Sequence, residues 1–304
     1  MALTVASNYA GKAAGFYLAA AMREATSLEH LTVLQNIKFK ENLQKFAASG
    51  MIQNANCNFT PVGALALTES ILEPKNLQIN TEYCKEELLK SWESEQMRAG
   101  AMNDNVPKFE DFVIANFTQH IAQGIEDSVW SGAAAVAGQF EGFLTAATGA
   151  FAVNGNTIPT VNATGAGVAY TAGNIIANLQ IIAAAIPSTV YGKEDLRIYM
   201  NWKTYRLYVS AISTLGYAQL YNMNSDYEAM FEGIKLSVVY GMPDDQLVAA
   251  QTSNLFFGTD LVSDMAQLRL LDMRPLDGSD NVRIIAKYSA GVQVGIGAEI
   301  VHQK

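Results

Sequence analysis

The chain contains few cysteines and few charged residues, and each shortage excludes a class of protein. Its two cysteines, Cys57 and Cys84, form no motif, so neither a disulfide framework nor a zinc site is expected. Two reduced thiols in a cytoplasmic product are the simplest interpretation. Charged residues make up only 16% of the 304 residues, which is low for a monomer that must keep its whole surface solvated. We therefore expect part of the surface to be buried against other copies of the chain.

Basic residues and long apolar runs are also scarce. Lys and Arg together number 20 against 29 Asp and Glu, a formal net charge of −9, whereas a protein that grips phosphates needs clustered basic side chains. The composition therefore argues against a protein whose main task is tight nucleic-acid binding. No run reaches the ~18 apolar residues of a membrane span. The alanine-rich stretch 13–22 does not resemble a signal peptide, because the first basic residue of the chain is Lys12 and because Gly15 and Tyr17 interrupt the apolar pattern.

Histidines and glycines lack the spacing that catalytic or cofactor sites need. The three histidines, His30, His120 and His302, form no metal-binding pattern, and His120 falls inside a strong helical pattern. A nucleophile elbow of the type G-x-S-x-G does not occur. The densest glycine run, within 291–297, belongs to an alternating strand pattern and precedes no helix, so it does not predict a phosphate loop.

The best carboxylate pairs are Asp244 with Asp245, and Asp260 with Asp264. Paired carboxylates can perform acid-base chemistry when burial drives their pKa values apart. These four follow turn-forming residues, which is typical of solvated turns. The sequence therefore predicts no catalytic residue, no cofactor and no metal.

The most informative feature present is an alternating ribbon at the C-terminal end. Every even position from 282 to 300 is apolar or small, and this period of two is the mark of a strand with one buried face. Fully extended, the ribbon would span roughly 60 Å, several times the usual strand length. We interpret it as two consecutive strands with a bend near 289–291. The even positions are Val282, Ile284, Ala286, Tyr288, Ala290, Val292, Val294, Ile296, Ala298 and Ile300.

The remaining elements follow in a definite order. An arm with a short helical pattern at 18–34 precedes a protruding hairpin with alternating stretches at 37–46 and 65–79. A helix at 82–97 precedes a long spine helix of roughly 22 residues that starts after Asn103 and ends near Gly132. An α+β module follows. Its predicted helices are 171–186 and 202–213, and its predicted strands are 196–200, 234–240, 246–250, 255–258 and 267–274.

This order of parts, together with five segments, resembles the major capsid proteins of tailed bacteriophages. Their Hong Kong 97-type (HK97-like) α+β fold is shared by encapsulin shells. The segments are GIEDSVWSG at 124–132, QFEGFL at 139–144, LRIYMNWKTY at 196–205, NLFFGTDL at 254–261 and VRIIAKYSAGVQV at 282–294. The resemblance implies an N-terminal arm at 1–35, an extended loop at 36–80, a peripheral domain with the spine helix at 81–150, an axial domain at 151–275 and C-terminal strands at 276–304 that return to the peripheral domain.

The resemblance also implies function and partners. It predicts a structural subunit, not an enzyme, that assembles into pentamers and hexamers of an icosahedral head around double-stranded DNA. Portal, scaffolding and decoration proteins are the expected further partners, the expected location is the virion after assembly in the host cytoplasm, and no membrane is involved. The short arm predicts that scaffolding is a separate protein or that the chain is already mature.

Some family members crosslink a lysine of the extended loop to an asparagine of the peripheral domain. The residues available for this are Lys38, Lys40, Lys45, Lys75 and Asn281. Two alternatives to a phage head remain open. An encapsulin-like compartment would have the same fold, and a cytoplasmic enzyme would use the α+β module with Asp244, Asp260 and Asp264.

Overall fold

A computed structural model describes residues 26–55, 57, 61–84, 107–145, 149–151, 158–164, 169–214, 229–260 and 268–304. The elements form a five-stranded sheet, a six-stranded sheet and a separate two-stranded hairpin. The strands are β1 (Thr32–Leu34), β2 (Glu41–Ser49), β3 (Ala64–Leu72), β4 (Lys75–Cys84), β5 (Thr160–Val161), β6 (Leu196–Met200), β7 (Met230–Phe231), β8 (Ile234–Val238), β9 (Leu247–Gln251), β10 (Leu255–Thr259), β11 (Leu268–Asp272), β12 (Asn281–Val294) and β13 (Val301–Gln303). The helices are α1 (Pro107–Ser131), α2 (Ile175–Ala185), α3 (Trp202–Thr214) and α4 (Arg274–Asp277).

Helix α1 is the predicted spine helix, and its end near Gly132 is confirmed. It has 25 residues, which at 1.5 Å per residue gives a length of about 37 Å. Its C-terminal half buries Ile125, Val129 and Trp130 in a core that also contains side chains of both large sheets. The helix therefore connects the two sheets.

The five-stranded sheet is organised around β12. Strand β4 pairs antiparallel with β12 over ten residues, from Asn281 opposite Cys84 to Ala290 opposite Lys75. On its other edge β12 pairs with β11 and then with β10, and β1 adds to β10 in parallel. Even positions of β12 such as Ile284 are buried while Arg283 and Lys287 are exposed. One face is therefore buried in the first part of β12, as predicted. From Ser289 to Val294 every residue is buried, including Gln293, so the second part of the strand is covered on both faces, contrary to the prediction.

The ribbon bends later than predicted. Strand β12 continues without a break through Ser289 and Gly291 to Val294, and the chain turns only at Gly295 and in a 3₁₀ helix at Gly297–Glu299. Its last strand, β13, then pairs with β9 and β5 in the six-stranded sheet. The ribbon therefore leaves the five-stranded sheet for the six-stranded one. Gly291 lies within the strand, where its lack of a side chain allows Pro74 to pack closely against β12.

The six-stranded sheet has the order β5, β13, β9, β6, β8, β7 and is covered by α2 and α3. The predicted apolar stripe of α2 is confirmed, since Ile175, Leu179 and Ile182 are fully buried in this core. The helix ends before Pro187, as a proline requires. Strands β10 and β11 were expected to belong to this module, but both pair with β12 in the other sheet.

Three further local predictions need correction. Within the predicted helix 18–34, the described part is a 3₁₀ helix at Ser27–His30 followed by β1. The predicted strand 65–79 is divided at Glu73 and Pro74 into β3 and β4, because a proline cannot donate to the ladder. The predicted helix 82–97 begins in what is strand β4 up to Cys84, and its remainder lies outside the described residues. The division into arm, extended loop, peripheral and axial domains stays a prediction.

Candidate assembly surfaces

The two-stranded hairpin carries an apolar face that none of the described residues covers. In its antiparallel register Phe46 lies opposite Leu67 and Ala48 lies opposite Leu65, so these four side chains share one face. Phe46 is 67% exposed, Leu65 61% and Leu67 59%. An isolated two-stranded hairpin is at best marginally stable in water. This face is therefore a candidate contact with another molecule.

Apolar exposure continues beyond the strands toward the hairpin tip. Met51 and Val62 are exposed, and Ile52 is 98% exposed. Contiguous apolar surface of this kind marks protein interaction sites in soluble proteins. We call Phe46, Ala48, Leu65, Leu67 and the tip residue Ile52 the hairpin face.

The base of the hairpin is packed against the five-stranded sheet at two glycines. A side chain at Gly258 would come within 2.7 Å of Leu72 Cδ2, and one at Gly291 within 2.9 Å of Pro74 Cα. Leu72 is fully buried as a result. Gly291 therefore permits the corner between β3 and β4 to cross β12 closely.

Polar contacts hold the same base in place. The Lys40 ammonium lies 2.8 Å from the Glu73 carboxylate, and Gln293 Nε2 donates to the Ile71 carbonyl at 2.7 Å. Lys75 Nζ donates to the carbonyls of Ala134 and Gln139 at 2.7 and 3.0 Å. The hairpin thus projects from a base that is tied both to β12 and to the loop after α1.

A buried carboxylate on α1 joins three parts of the chain. Glu126 is fully buried. Its Oε1 accepts bonds from the Ser27 hydroxyl at 2.7 Å and from the backbone N–H groups of Tyr240 and Gly241 at 3.1 and 3.0 Å. Its Oε2 accepts the Ser27 N–H at 3.0 Å. Trp130 Nε1 in turn donates to the Ser27 hydroxyl at 2.6 Å.

These bonds hold the end of the arm. Tyr199, from the six-stranded sheet, donates its hydroxyl to the His30 carbonyl at 3.0 Å, and β1 pairs with β10 from Thr32 to Leu34. Burial raises the pKa of the Tyr199 hydroxyl. The described part of the arm therefore packs on α1 and on both sheets, as expected for a segment without a core of its own.

Two of the histidines differ in their surroundings. His120 is exposed on α1, whereas His302 is buried in β13, where Nε2 lies 3.0 Å from Gln246 Oε1 and the ring packs edge-on against Phe151. Burial lowers the pKa of His302 to about 4. Among the described residues, no three His, Cys, Asp or Glu side chains could hold a metal ion together.

The carboxylates considered for catalysis occupy structural positions. Asp244 accepts bonds from Asn201 and from Lys203 Nζ, the latter at 2.9 Å, while Asp245 Oδ1 accepts the Tyr170 N–H at 2.9 Å. Asp260 follows β10 in the other sheet, where its N–H donates to the Ser289 hydroxyl. Asp264 lies outside the described residues. The structure therefore does not bring Asp244 and Asp260 to one site.

The residues considered for crosslinking have varied surroundings. Lys38 is exposed and Lys45 half-buried on the hairpin, while Lys40 and Lys75 are bonded at the hairpin base as described. Asn281 Nδ2 donates to Glu82 Oε1 at 2.6 Å. Of the cysteines, Cys57 is exposed and Cys84 is partly buried, and both are free thiols.

Sequence reasoning missed Glu126, a buried carboxylate that accepts four hydrogen bonds. One signal was present, because Glu126 lies beside Ile125, Val129 and Trp130 on the apolar stripe of α1. A carboxylate at such a position is rarely buried unless it is paired or bonded. The partners Ser27 and Gly241, however, carry no pattern that would reveal them.

No protein-family model and no curated protein matches the sequence, but solved structures match the fold. The capsid of the native GTA particle is 15% identical, with a TM-score of 0.62 over 94% of this chain and 92% of that one. The capsid of Myoviridae phage XM1 is 12% identical, with a TM-score of 0.60 over 99% of this chain and 98% of that one. The chain has the Hong Kong 97-type capsid fold.

The same capsid fold extends to a shell of another kind. The virus-like particle from Pyrococcus furiosus is 12% identical, with a TM-score of 0.51 over 92% of both chains. This TM-score is lower than those of the native GTA particle and the phage XM1 capsid. In the described part of the chain, no helix is both long and apolar enough to cross a membrane.

Proposed function

We propose that this chain is the major capsid protein of a tailed bacteriophage. It assembles into pentamers and hexamers that form an icosahedral head around double-stranded DNA. The capsid fold makes a shell subunit the first function to consider, and the exposed hairpin face is the observation that supports it. An exposed apolar hairpin is expected in a subunit that buries it against a neighbour, and it is not expected in a monomeric enzyme.

The hairpin face has the composition of an interface core. Phe46, Leu65 and Leu67 present a large aromatic and two leucines side by side, and aromatic residues are enriched where interfaces are most buried. Shell subunits need large obligate contacts of roughly 2,000 Å² or more. A rigidly anchored hairpin that reaches beyond its own subunit supplies part of that area.

The charge of the chain fits enclosed DNA that is held by confinement. A net charge of −9 disfavours extensive phosphate binding. The partners we propose beyond the chain itself are portal, scaffolding and decoration proteins, and the proposed site of assembly is the host cytoplasm.

A protein compartment that recruits protein cargo is the second candidate, because the fold also matches the Pyrococcus furiosus particle. An enzyme is less well supported, since Asp244 and Asp245 are bonded to Lys203 and to the Tyr170 backbone, as expected of structural residues.

Particle formation tests the proposal. The full chain is expressed, separated on a density gradient and imaged by negative-stain electron microscopy. We expect closed shells or ring-shaped capsomers, and a chain that stays monomeric at high concentration would contradict the proposal. Mass spectrometry of purified shells separates the two candidates, because a stoichiometric enclosed host protein would favour the compartment.

A further inference from the structure

The bonds to Glu126 assign a distinct task to each carboxylate oxygen. Oε1 accepts three bonds, two from the consecutive N–H groups of Tyr240 and Gly241 and one from the Ser27 hydroxyl. Oε2 accepts only the Ser27 N–H. Consecutive backbone N–H groups of this kind form a favourable anion site. All four partners are donors, so a carboxylate suits the position and a carboxamide does not.

The Ser27 hydroxyl links these bonds into one chain. It donates to Glu126 and accepts from Trp130 Nε1 at 2.6 Å, so the arm cannot shift without changing the bonds of both side chains. The turn after β8 also packs closely against the backbone of Glu126, because a Cβ atom at Gly241 would lie 1.9 Å from the Glu126 carbonyl oxygen. Connected bonds in a buried setting reinforce one another.

We propose that Glu126 is a positioning residue that couples the docking of the arm to the joint between α1 and the six-stranded sheet. The described part of the arm, residues 26–34, and the turn at Tyr240 and Gly241 are fixed by the same atom. The Ser27 hydroxyl and both backbone N–H groups of the turn donate to Glu126 Oε1. The proposal deepens the proposed function and rests on it for its meaning in a shell, where subunits must present their surfaces at a set angle. The coupling itself is a property of the single chain.

Amide hydrogen exchange on the unassembled full chain tests the coupling at the donors themselves. In Glu126→Gln the amide oxygen takes the position with three donors, so the NH₂ group faces the Ser27 N–H. We expect exchange at Ser27 to rise about ten- to hundredfold and, because the arm and the turn are bound to the same carboxylate, exchange at Tyr240 and Gly241 to rise by roughly threefold or more, while the other amides of both sheets stay unchanged. The matched control is Glu29→Gln, which removes the same charge from an exposed position of the arm and leaves exchange unchanged.

Ser27→Ala tests the coupling from the other side. It removes one Oε1 bond and the acceptor of Trp130, so we expect faster exchange at Tyr240 and Gly241, by roughly threefold or more, although neither touches the substituted atom. Unchanged exchange at these two amides would overturn the proposal. A uniform rise across both sheets in Glu126→Gln would also overturn it, because that result indicates general destabilisation.

Microscopy of the same variants keeps the two proposals apart. If the unaltered chain forms shells and Glu126→Gln forms irregular ones, the positioning role extends to assembly. If the unaltered chain forms no shell, the proposed function fails, while the exchange results at Ser27, Tyr240 and Gly241 still decide the coupling.

Discussion

Replacing Phe46 by serine should raise the concentration needed for assembly without destabilising the subunit. The ring is 67% exposed, and an aromatic side chain offers about 200 Å² of surface, so roughly 130 Å² becomes available for burial in a contact. At about 25 cal/mol per Å² this corresponds to about 3 kcal/mol per contact, or a factor of roughly 100 in each association constant. Because a shell repeats the contact in every subunit, the concentration needed for assembly should rise by at least that factor.

The assay compares two variants of the hairpin at matched concentrations. Light scattering and sedimentation report assembly, and thermal unfolding of dispersed subunits reports stability. Ala66→Ser is the control, since Ala66 lies opposite Ala47 on the other face of the same hairpin, and it should assemble like the unaltered chain. The free energy of unfolding of Phe46→Ser should change by less than about 0.5 kcal/mol. Assembly of Phe46→Ser at the unaltered concentration would refute the interface role of the hairpin face.

Three further predictions concern the subunit itself. Leu72→Ala should lower the free energy of unfolding by about 2–4 kcal/mol because Leu72 is fully buried at the hairpin base, whereas Leu65→Ala on the same strand should cost almost nothing; equal effects in urea titrations would contradict the assigned burial. Gly241→Ala should destabilise by about 3 kcal/mol or more, since its Cβ would lie 1.9 Å from the Glu126 carbonyl oxygen, while Gly173→Ala, whose nearest neighbour is 3.9 Å away, should be tolerated in the same thermal assay. His302 has a folded pKa of about 4 against about 6.5 when unfolded, so the unfolded chain takes up a proton first as the pH falls. Stability should therefore drop by about 3 kcal/mol between pH 6.5 and pH 4, and His302→Gln should remove this part of the slope in unfolding curves recorded across that range.

Local patterns predicted most of the individual elements. The end of α1 before Gly132, the buried stripe of α2 and the alternation of β12 all follow from side-chain periodicity, which depends on near neighbours in the chain. Glu73 and Pro74 interrupt the apolar alternation of 65–79, and the structure divides the segment there into β3 and β4. The prediction of one continuous strand passed over this local signal.

The candidate surface was predictable only in part. A protruding hairpin between residues 36 and 80 was expected, but the apolar hairpin face depends on register, since a shift of one residue would move Phe46 to the other side. Phe46 pairs with Leu67 in the folded hairpin, and the periodicity of the sequence does not specify this register.

By itself the sequence determined the long periodic elements, such as the end of α1 and strand β12. It also showed that the chain has more apolar surface than its small number of charges can keep in water. Only the tertiary structure decided that β12 and β13 join different sheets, that Gly291 admits a crossing corner, and that Glu126 gathers the arm and a distant turn. Those features arise from contacts between residues far apart in the chain. Such contacts leave no local period in the sequence, because each depends on one partner brought close by the whole fold.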